Sequence, residues 1–429
     1  MSAPMPCDTQ KLLAPLRQEV VRLLQRLVQT DSVNIPPDGN ETPAQLVLSE
    51  FFQAHGIHPD LYSLDFLAAS DHPYLRRDRN YQGRKNLAVR LPGTGRGKSL
   101  LLNGHIDTVP PGKASWSASP WSGELREGRL YGLGSFDMKA GLAAQTAVLA
   151  AVQSAGIRLG GDLLFESVVD EEWGGGGGSL AARLKGGAAD AAIISEGTQL
   201  EILRATRGGY VVDLKVEAGD KSTYFSRGEV ISPAVPLARL LDWVDAWIER
   251  RRRTKTSSAY AAIADPAPVQ VLAVEANRLD REVPLSVPTE ATVRVYFQFL
   301  PDENVPAVLA EIQSSLQQFQ SNDTFFRTHP IRWHPLYDPP LLGHELPELH
   351  PWTTCMAESF QAVRQTTPVI GAAPYPCDAF LLQREWGIPT LLFGPCGAGA
   401  HNPDEYVDVD SVLATAEVLL AAALQWCNG

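Results

Sequence analysis

The stretch Leu101-Leu102-Asn103-Gly104-His105-Ile106-Asp107-Thr108-Val109-Pro110 decides the reading of this chain. Its apolar part reads as a strand over Ser99 to Asn103, after a strand-like run from Lys85 to Leu91 and a polar turn from Pro92 to Lys98. His105 and Asp107 then fall at the carboxyl end of a strand, where open α/β sheets place their ligands. Spaced two apart, they can face one side of extended chain. An imidazole bound to a metal commonly gives its other ring N–H to a carboxylate or a backbone carbonyl. Taken alone, the tripeptide is better read as an ordinary strand end with a satisfied histidine and an exposed aspartate.

Working outward, four further segments have the same character: Gly132-Leu133-Gly134-Ser135-Phe136-Asp137-Met138-Lys139, Asp170-Glu171-Glu172-Trp173, Ser195-Glu196-Gly197 and Gly399-Ala400-His401-Asn402-Pro403-Asp404-Glu405-Tyr406. Each sets a carboxylate or imidazole at a turn after an apolar run, where functional residues concentrate. Asp137 introduces an Ala- and Leu-rich helix over Met138 to Val152, and by itself is as readily an N-cap as a ligand. A strand over Asp162 to Val169 delivers Glu171 and Glu172. Adjacent carboxylates point different ways, so one can bind metal while the other moves protons. The glycines Gly174 to Gly178, just before Ser179-Leu180-Ala181, read as a close-approach loop opening a helix. They are not a phosphate loop, since no Lys-Ser or Lys-Thr follows. A strand over Ala191 to Ser195 ends at Glu196.

In this order the five motifs resemble the M20 family of di-zinc amidohydrolases and metallopeptidases, whose members include acetylornithine deacetylases, succinyl-diaminopimelate desuccinylases and glutamate carboxypeptidases. The resemblance covers nearly the whole chain. It implies an α/β fold: a zinc-exopeptidase-like catalytic domain over 1–203 and 321–429, with a central mixed sheet flanked by helices, and an inserted α+β, ferredoxin-like lid and dimerisation domain over 204–320. It implies two divalent metal ions bridged by Asp137, one held by His105 and Glu196 and the other by Glu172 and His401. Zinc is the expected metal, although carboxylate and imidazole also suit cobalt or manganese. Asp107 is implied to orient His105, and Glu171 to be the general base. The expected activity is hydrolysis of a small N-acyl amino acid or related amide, with a carboxypeptidase or dipeptidase of the same family as the alternative. Glu196, where several peptidases carry Asp, tilts toward the deacylases.

Composition sets limits. The 429 residues are 44% hydrophobic and 20% charged, an ordinary globular balance too long for one usual core. Formal charge is 37 minus 49, or -12, and this argues against nucleic acid or an anionic membrane surface as partner. Five cysteines without C-x-x-C spacing, and a start without a basic and apolar leader, are expected of a cytoplasmic protein. The apolar stretch Val412 to Trp426 reads as too short and too Glu-interrupted to span a bilayer. Leucines at helical spacing predict one amphipathic helix over Thr9 to Gln29, and Thr42 to His55 reads as a second. Nothing catalytic is expected in this opening.

From about Arg204 strands alternate with amphipathic helices in a βαββαβ-like order. Here the chain departs from the family it resembles. Members with hydrolytic activity usually carry a lid histidine in a Gly-x-x-x-His segment that stabilises the oxyanion in the partner subunit's active site. The matching stretch is Gly219-Asp220-Lys221-Ser222-Thr223-Tyr224-Phe225, and 204–320 holds no histidine. One reading substitutes Tyr224, Lys221 or Thr223 as the donor in a specialised amidohydrolase. A second has the metals serve acyl transfer or amide formation, and a third leaves a metal-dependent binding protein. Arg207 and Arg294 are candidates for meeting a substrate carboxylate, Asp378 lies in a turn resembling the family's substrate-side acidic turn, and Cys396 is expected to pack rather than bind metal. A homodimer through the lid is the family expectation.

Overall fold

The computed structural model describes residues 9–175, 177–218, 231–254, 257–276 and 287–429. Two compact units emerge, one built from residues 1–205, 345–373 and 377–429, the other from 206–344 and 374–376.

The first unit is an α/β layer around an eight-stranded mixed sheet. Its strand order is Ile370–Gly371, Ile202–Leu203, Thr390–Leu392, Ala191–Ile194, Leu100–His105, Leu163–Val168, Lys85–Leu91 and Asp60–Ser63. The middle four, from Thr390–Leu392 to Leu163–Val168, run parallel, and the strands on either side of that block are antiparallel to it. Parallel strands are covered on both faces and read as unbroken apolar runs. Leu100–His105 and Ala191–Ile194 accordingly have every residue buried. Because the four strands point the same way, their carboxyl ends share one edge, and the five motifs arrive there.

Small residues let the helices come close. Residues 140–152 of helix Ala140–Ser154 are buried. At Gly141 a Cβ would lie 1.9 Å from the Ser195 carbonyl oxygen, so only glycine lets this helix rest against the strand end that carries Glu196. The C-terminal helix begins at Val409, earlier than the apolar stretch suggested, and reaches Trp426. At 18 residues it is long and apolar enough to cross a membrane, but 83% of it is buried inside the protein, which makes it a core helix. The opening segment is also not one helix. Thr9–Leu13 and Arg17–Gln29 are separated by a 3-10 turn at Ala14–Leu16, because Pro15 supplies no N–H to the ladder.

The second unit is a four-stranded antiparallel sheet in the order Val269–Glu275, Glu290–Phe299, Gly208–Glu217 and Arg332–Pro335. With helices Leu237–Arg251 and Val305–Asn322 it follows the expected ferredoxin-like βαββαβ order. Ala291, Val293, Val295 and Phe297 alternate onto one face and pack in one core with Leu240, Val244, Ile312 and Leu316. The unit runs past the expected boundary at 320, since Arg332–Pro335 pairs with Gly208–Glu217 as the fourth strand. That strand has no apolar alternation to announce it and stays largely exposed.

Candidate metal centre

Strand ends and turns set the donors. His105 is the last residue of its strand, Glu171 and Glu172 open a 3-10 turn just beyond Leu163–Val168, and Glu196 follows Ala191–Ile194. Asp137 stands in the turn before helix Ala140–Ser154, and His401 lies in the loop after Thr390–Leu392. His105 Nε2 is 3.1 Å from Asp137 Oδ1 and 3.7 Å from Glu196 Oε1. His401 Nε2 is 3.3 Å from Asp137 Oδ2 and 3.0 Å from Glu172 Oε2. Asp137 therefore shows one oxygen to each imidazole, His105 shares its side with Glu196, and His401 shares its side with Glu172. Donor atoms of His105, Asp137 and Glu172 lie within 4.8 Å of one another.

The charges explain why cations fit. Four carboxylates face two imidazoles here, and burial pushes Glu171 well above the usual carboxylate range, with Asp378, Glu196 and Glu172 adding to the rise. Burial likewise lifts Glu196 to about 8. Burial would also raise Asp137, but hydrogen bonds from His105 and His401 outweigh it and hold this acid low. Burial opposes the charge on His401, yet Asp137 and Glu172 lift it to about 11. The set is short of positive charge, and an all-oxygen-and-imidazole donor group of this kind suits two divalent ions. Glu171 differs from its neighbour in one respect. Among the described residues its side chain has no hydrogen bond or ion pair, whereas Glu172 faces His401.

The supporting residues are largely ones the sequence reading passed over. The nearest partner of His105 Nδ1 is the Asp107 backbone carbonyl at 3.0 Å, with the Asp107 carboxylate at 3.5 Å, so Asp107 orients the ring with both groups. The Asp107 oxygens also accept from the Glu171 and Glu172 amides, each at 3.3 Å, and from Asn34 Nδ2 at 2.8 Å. Glu405 is 1% exposed and accepts from the amides of Gly134, Phe136 and Asp137 at 2.8, 2.7 and 3.0 Å. It ties the His401 loop to the Asp137 turn. Its place four residues after His401 was the only signal in the sequence. Asn34 and Arg79 gave none, since a polar residue in a Pro-rich turn and an arginine in a polar loop are common.

Other expected residues fall elsewhere. Asp378 is buried against the glycine loop, where a Cβ on Gly175 would lie 1.7 Å from its Oδ1, and its Oδ2 has no hydrogen-bond partner among the described residues. Burial lifts this acid to about 6. Arg207 and Arg294 are engaged within the second unit. Arg207 is buried and donates to the Pro374 and Asp265 carbonyls and to Gln298, and Arg294 pairs with Asp213, its cross-strand partner. Both guanidinium groups are thus held by groups of their own unit, while Arg207 Nε has no hydrogen-bond partner among the described residues. Lys221, Thr223 and Tyr224 lie outside the described residues. The second unit does contain histidines once its extent is known: His334 is exposed on the fourth strand, His329 stacks on Phe325, and His344 is buried against Thr206. Cys396 is a half-buried free thiol whose backbone amide donates to Ser411 Oγ. Cys377 is the thiol whose proton is held on by burial and by the charges of Glu196 and Glu171.

Comparison with known proteins agrees with this geometry. A model of the peptidase family M20/M25/M40 matches residues 101–425. The chain is 23% identical to the N-formyl-4-amino-5-aminomethyl-2-methylpyrimidine deformylase of Bacillus subtilis over 98% of its own length and 97% of that protein's. It is 27% identical to the succinyl-diaminopimelate desuccinylase of Gluconacetobacter diazotrophicus over 78% and 83% of the two chains. Human carnosine dipeptidase 1 shares the fold, with a TM-score of 0.75 at 17% identity over 99% of this chain and 100% of that one. The chain is a member of peptidase family M20/M25/M40, hydrolases of carbon–nitrogen amide bonds that work with bound divalent metal.

Proposed function

We propose that this protein is a zinc-dependent deacylase that releases the amine from a small N-acyl compound, an N-acyl amino acid or a related amide. The observation that carries the reading is the division of labour between adjacent carboxylates: Glu172 is committed to His401, while Glu171 is half-buried, makes no side-chain hydrogen bond or ion pair among the described residues, and is raised in pKa. His105, Asp137, Glu172, Glu196 and His401 would hold two ions, which when bound polarise the scissile carbonyl and make water a stronger acid. Glu171 takes the proton of the attacking water and returns it to the departing nitrogen, a role that suits a carboxyl whose pKa is raised by desolvation. Asp107 keeps His105 in one tautomer by accepting from Nδ1. Glu196 and the kinship to a deformylase and a desuccinylase support a small acyl group.

The test is amine release by zinc-loaded protein from N-formyl, N-acetyl and N-succinyl amino acids, N-formyl aminomethylpyrimidines and dipeptides. Turnover of at least one acyl compound above all dipeptides is expected. Dipeptides as the best substrates would replace the deacylase with a dipeptidase, and no release from a metal-replete protein would move the reading to acyl transfer or binding.

We further propose a cytoplasmic homodimer. Cys355, Cys377, Cys396 and Cys427 are free thiols, as a reducing compartment keeps them. Val269–Glu275 is an edge strand with Val271, Leu272 and Val274 39–51% exposed, an apolar edge that a second copy would cover. Light scattering that gives a monomer mass at micromolar concentration would remove the dimer, and fractionation that finds the protein outside the cytoplasm would remove the localisation.

A further inference from the structure

Behind the metal donors lies a buried polar network that the catalytic scheme does not use. Its hub is Asn34, fully buried, at the start of the short strand Asn34–Ile35. The Asn34 amide N–H donates to the Thr108 carbonyl at 2.9 Å, and the Asn34 carbonyl accepts from Trp173 Nε1 at 3.0 Å. The residue is thus pinned by its backbone between the His105 segment and the loop after Glu172. Its side chain faces three charged groups. Oδ1 accepts from Arg79, while Nδ2 donates to Asp107 Oδ2 at 2.8 Å and to Asp170 Oδ1 at 3.3 Å.

This chemistry demands an amide. Arginine can only donate and ionised carboxylates can only accept, so the hub must accept on one side and donate on the other. Its orientation is therefore fixed by its partners. Arg79 and Arg84 in turn hold Asp170, and Arg84 also pairs with Glu41, with every one of these side chains buried. Tyr81 adds a hydrogen bond to Asp170 Oδ2 at 3.0 Å. The result is a rigid back wall whose only described contact with Asp107 Oδ2, other than the Glu172 amide, runs through Asn34.

From these contacts we infer that Asn34 is a positioning residue: by holding Asp107 Oδ2 against the Arg79–Asp170 pair, it fixes the carboxylate that orients His105 and anchors the amides of Glu171 and Glu172. Among the described residues the Asn34 side chain makes no hydrogen bond to His105, Asp137, Glu172, Glu196 or His401. It acts through Asp107. The inference rests on the two-metal reading above and adds to it a residue from the N-terminal turn.

The experiment uses the full-length protein, stripped and reloaded with cobalt(II), comparing wild type with Asn34→Asp and Asn34→Ala. Asn34→Asp keeps size and the Arg79 contact but removes the donor to Asp107, and Asn34→Ala removes both without adding charge. Cobalt affinity, by chelator competition, is expected to fall in both by up to about 10- to 100-fold, the cost of losing a ligand's direct partner, because Asn34 acts through such a partner, Asp107. The visible cobalt spectrum should shift, and kcat should drop while KM on the best substrate stays within about twofold. A residue needed only for folding would leave the spectrum of the folded fraction unchanged. Wild-type cobalt affinity and spectrum in the folded variants would overturn the inference, and so would failure of both variants to fold. A wild type that takes up no cobalt would instead remove the two-metal reading itself.

Discussion

Glu405 offers a quantitative test of how the centre is held. Its carboxylate meets three backbone N–H groups of the turn that carries Asp137, at 2.7 to 3.0 Å, and is 1% exposed. Glu405→Ala leaves two buried donors and one partly buried donor without a partner. Each unmet donor costs about 1–3 kcal/mol, so the loss lies between about 3 kcal/mol and, with no relaxation, about 9 kcal/mol. Glu405→Gln keeps a carbonyl oxygen for Phe136 and Asp137 but turns an NH₂ toward Gly134. It should cost about 1–3 kcal/mol, the value of one lost contact. Urea unfolding of the metal-free proteins, followed by zinc competition titrations, reads both stability and the position of Asp137. The expected order is wild type above Gln above Ala in stability and zinc affinity alike. A Glu405→Ala protein within about 1 kcal/mol of wild type, with unchanged zinc affinity, would refute the claim that this carboxylate sets the Asp137 turn.

Two further perturbations test separate parts of the account. Gly175 has φ of +69°, and a Cβ there would meet Asp378 Oδ1 at 1.7 Å. Gly175→Ala should therefore shift the loop after Glu172, cost at least about 1 kcal/mol and lower kcat, and full activity with unchanged thermal stability would show that the loop has room. In the second unit Asp323 accepts from Arg239 and from the amides of Phe325 and Phe326, and Arg239 foremost holds its carboxyl down at about 2. The folded value lies below the ordinary one, so the stabilisation is complete above about pH 4 and is lost as pH falls toward 2. Asp323→Asn should cost about 1–2 kcal/mol at neutral pH, with the gap to wild type closing between pH 4 and 2. A gap that is constant across this range would assign the effect to something other than the Asp323 charge.

Much of the site could be read from residue order alone because each donor follows an apolar run, and parallel strands must deliver such residues to one edge. His105, Glu171, Glu172 and Glu196 are examples. The ferredoxin-like unit was legible from its alternating strands, but its end was not, since Arg332–Pro335 joins the sheet through backbone pairing with Gly208–Glu217 while three of its four residues stay exposed and Trp333 alone packs on the core. The supporting wall was hidden for a related reason. Asn34, Arg79 and Glu405 meet the site through contacts 45 to 271 residues apart in the chain, and no local period marks such partners. The engagement of Arg207 by backbone carbonyls was equally invisible, because sequence shows a cation but not the acceptors that surround it.

The central claim is that Glu171 moves the proton while its neighbours hold the metal, and Glu171→Gln tests it most directly. Zinc content by elemental analysis and amine release from the best N-acyl substrate should be measured on the same preparations. The account predicts two zinc ions per chain in both proteins and a loss of about 10² to 10⁴ in kcat for the variant. Turnover within tenfold of wild type at full zinc content would contradict it, and would take the base role away from Glu171.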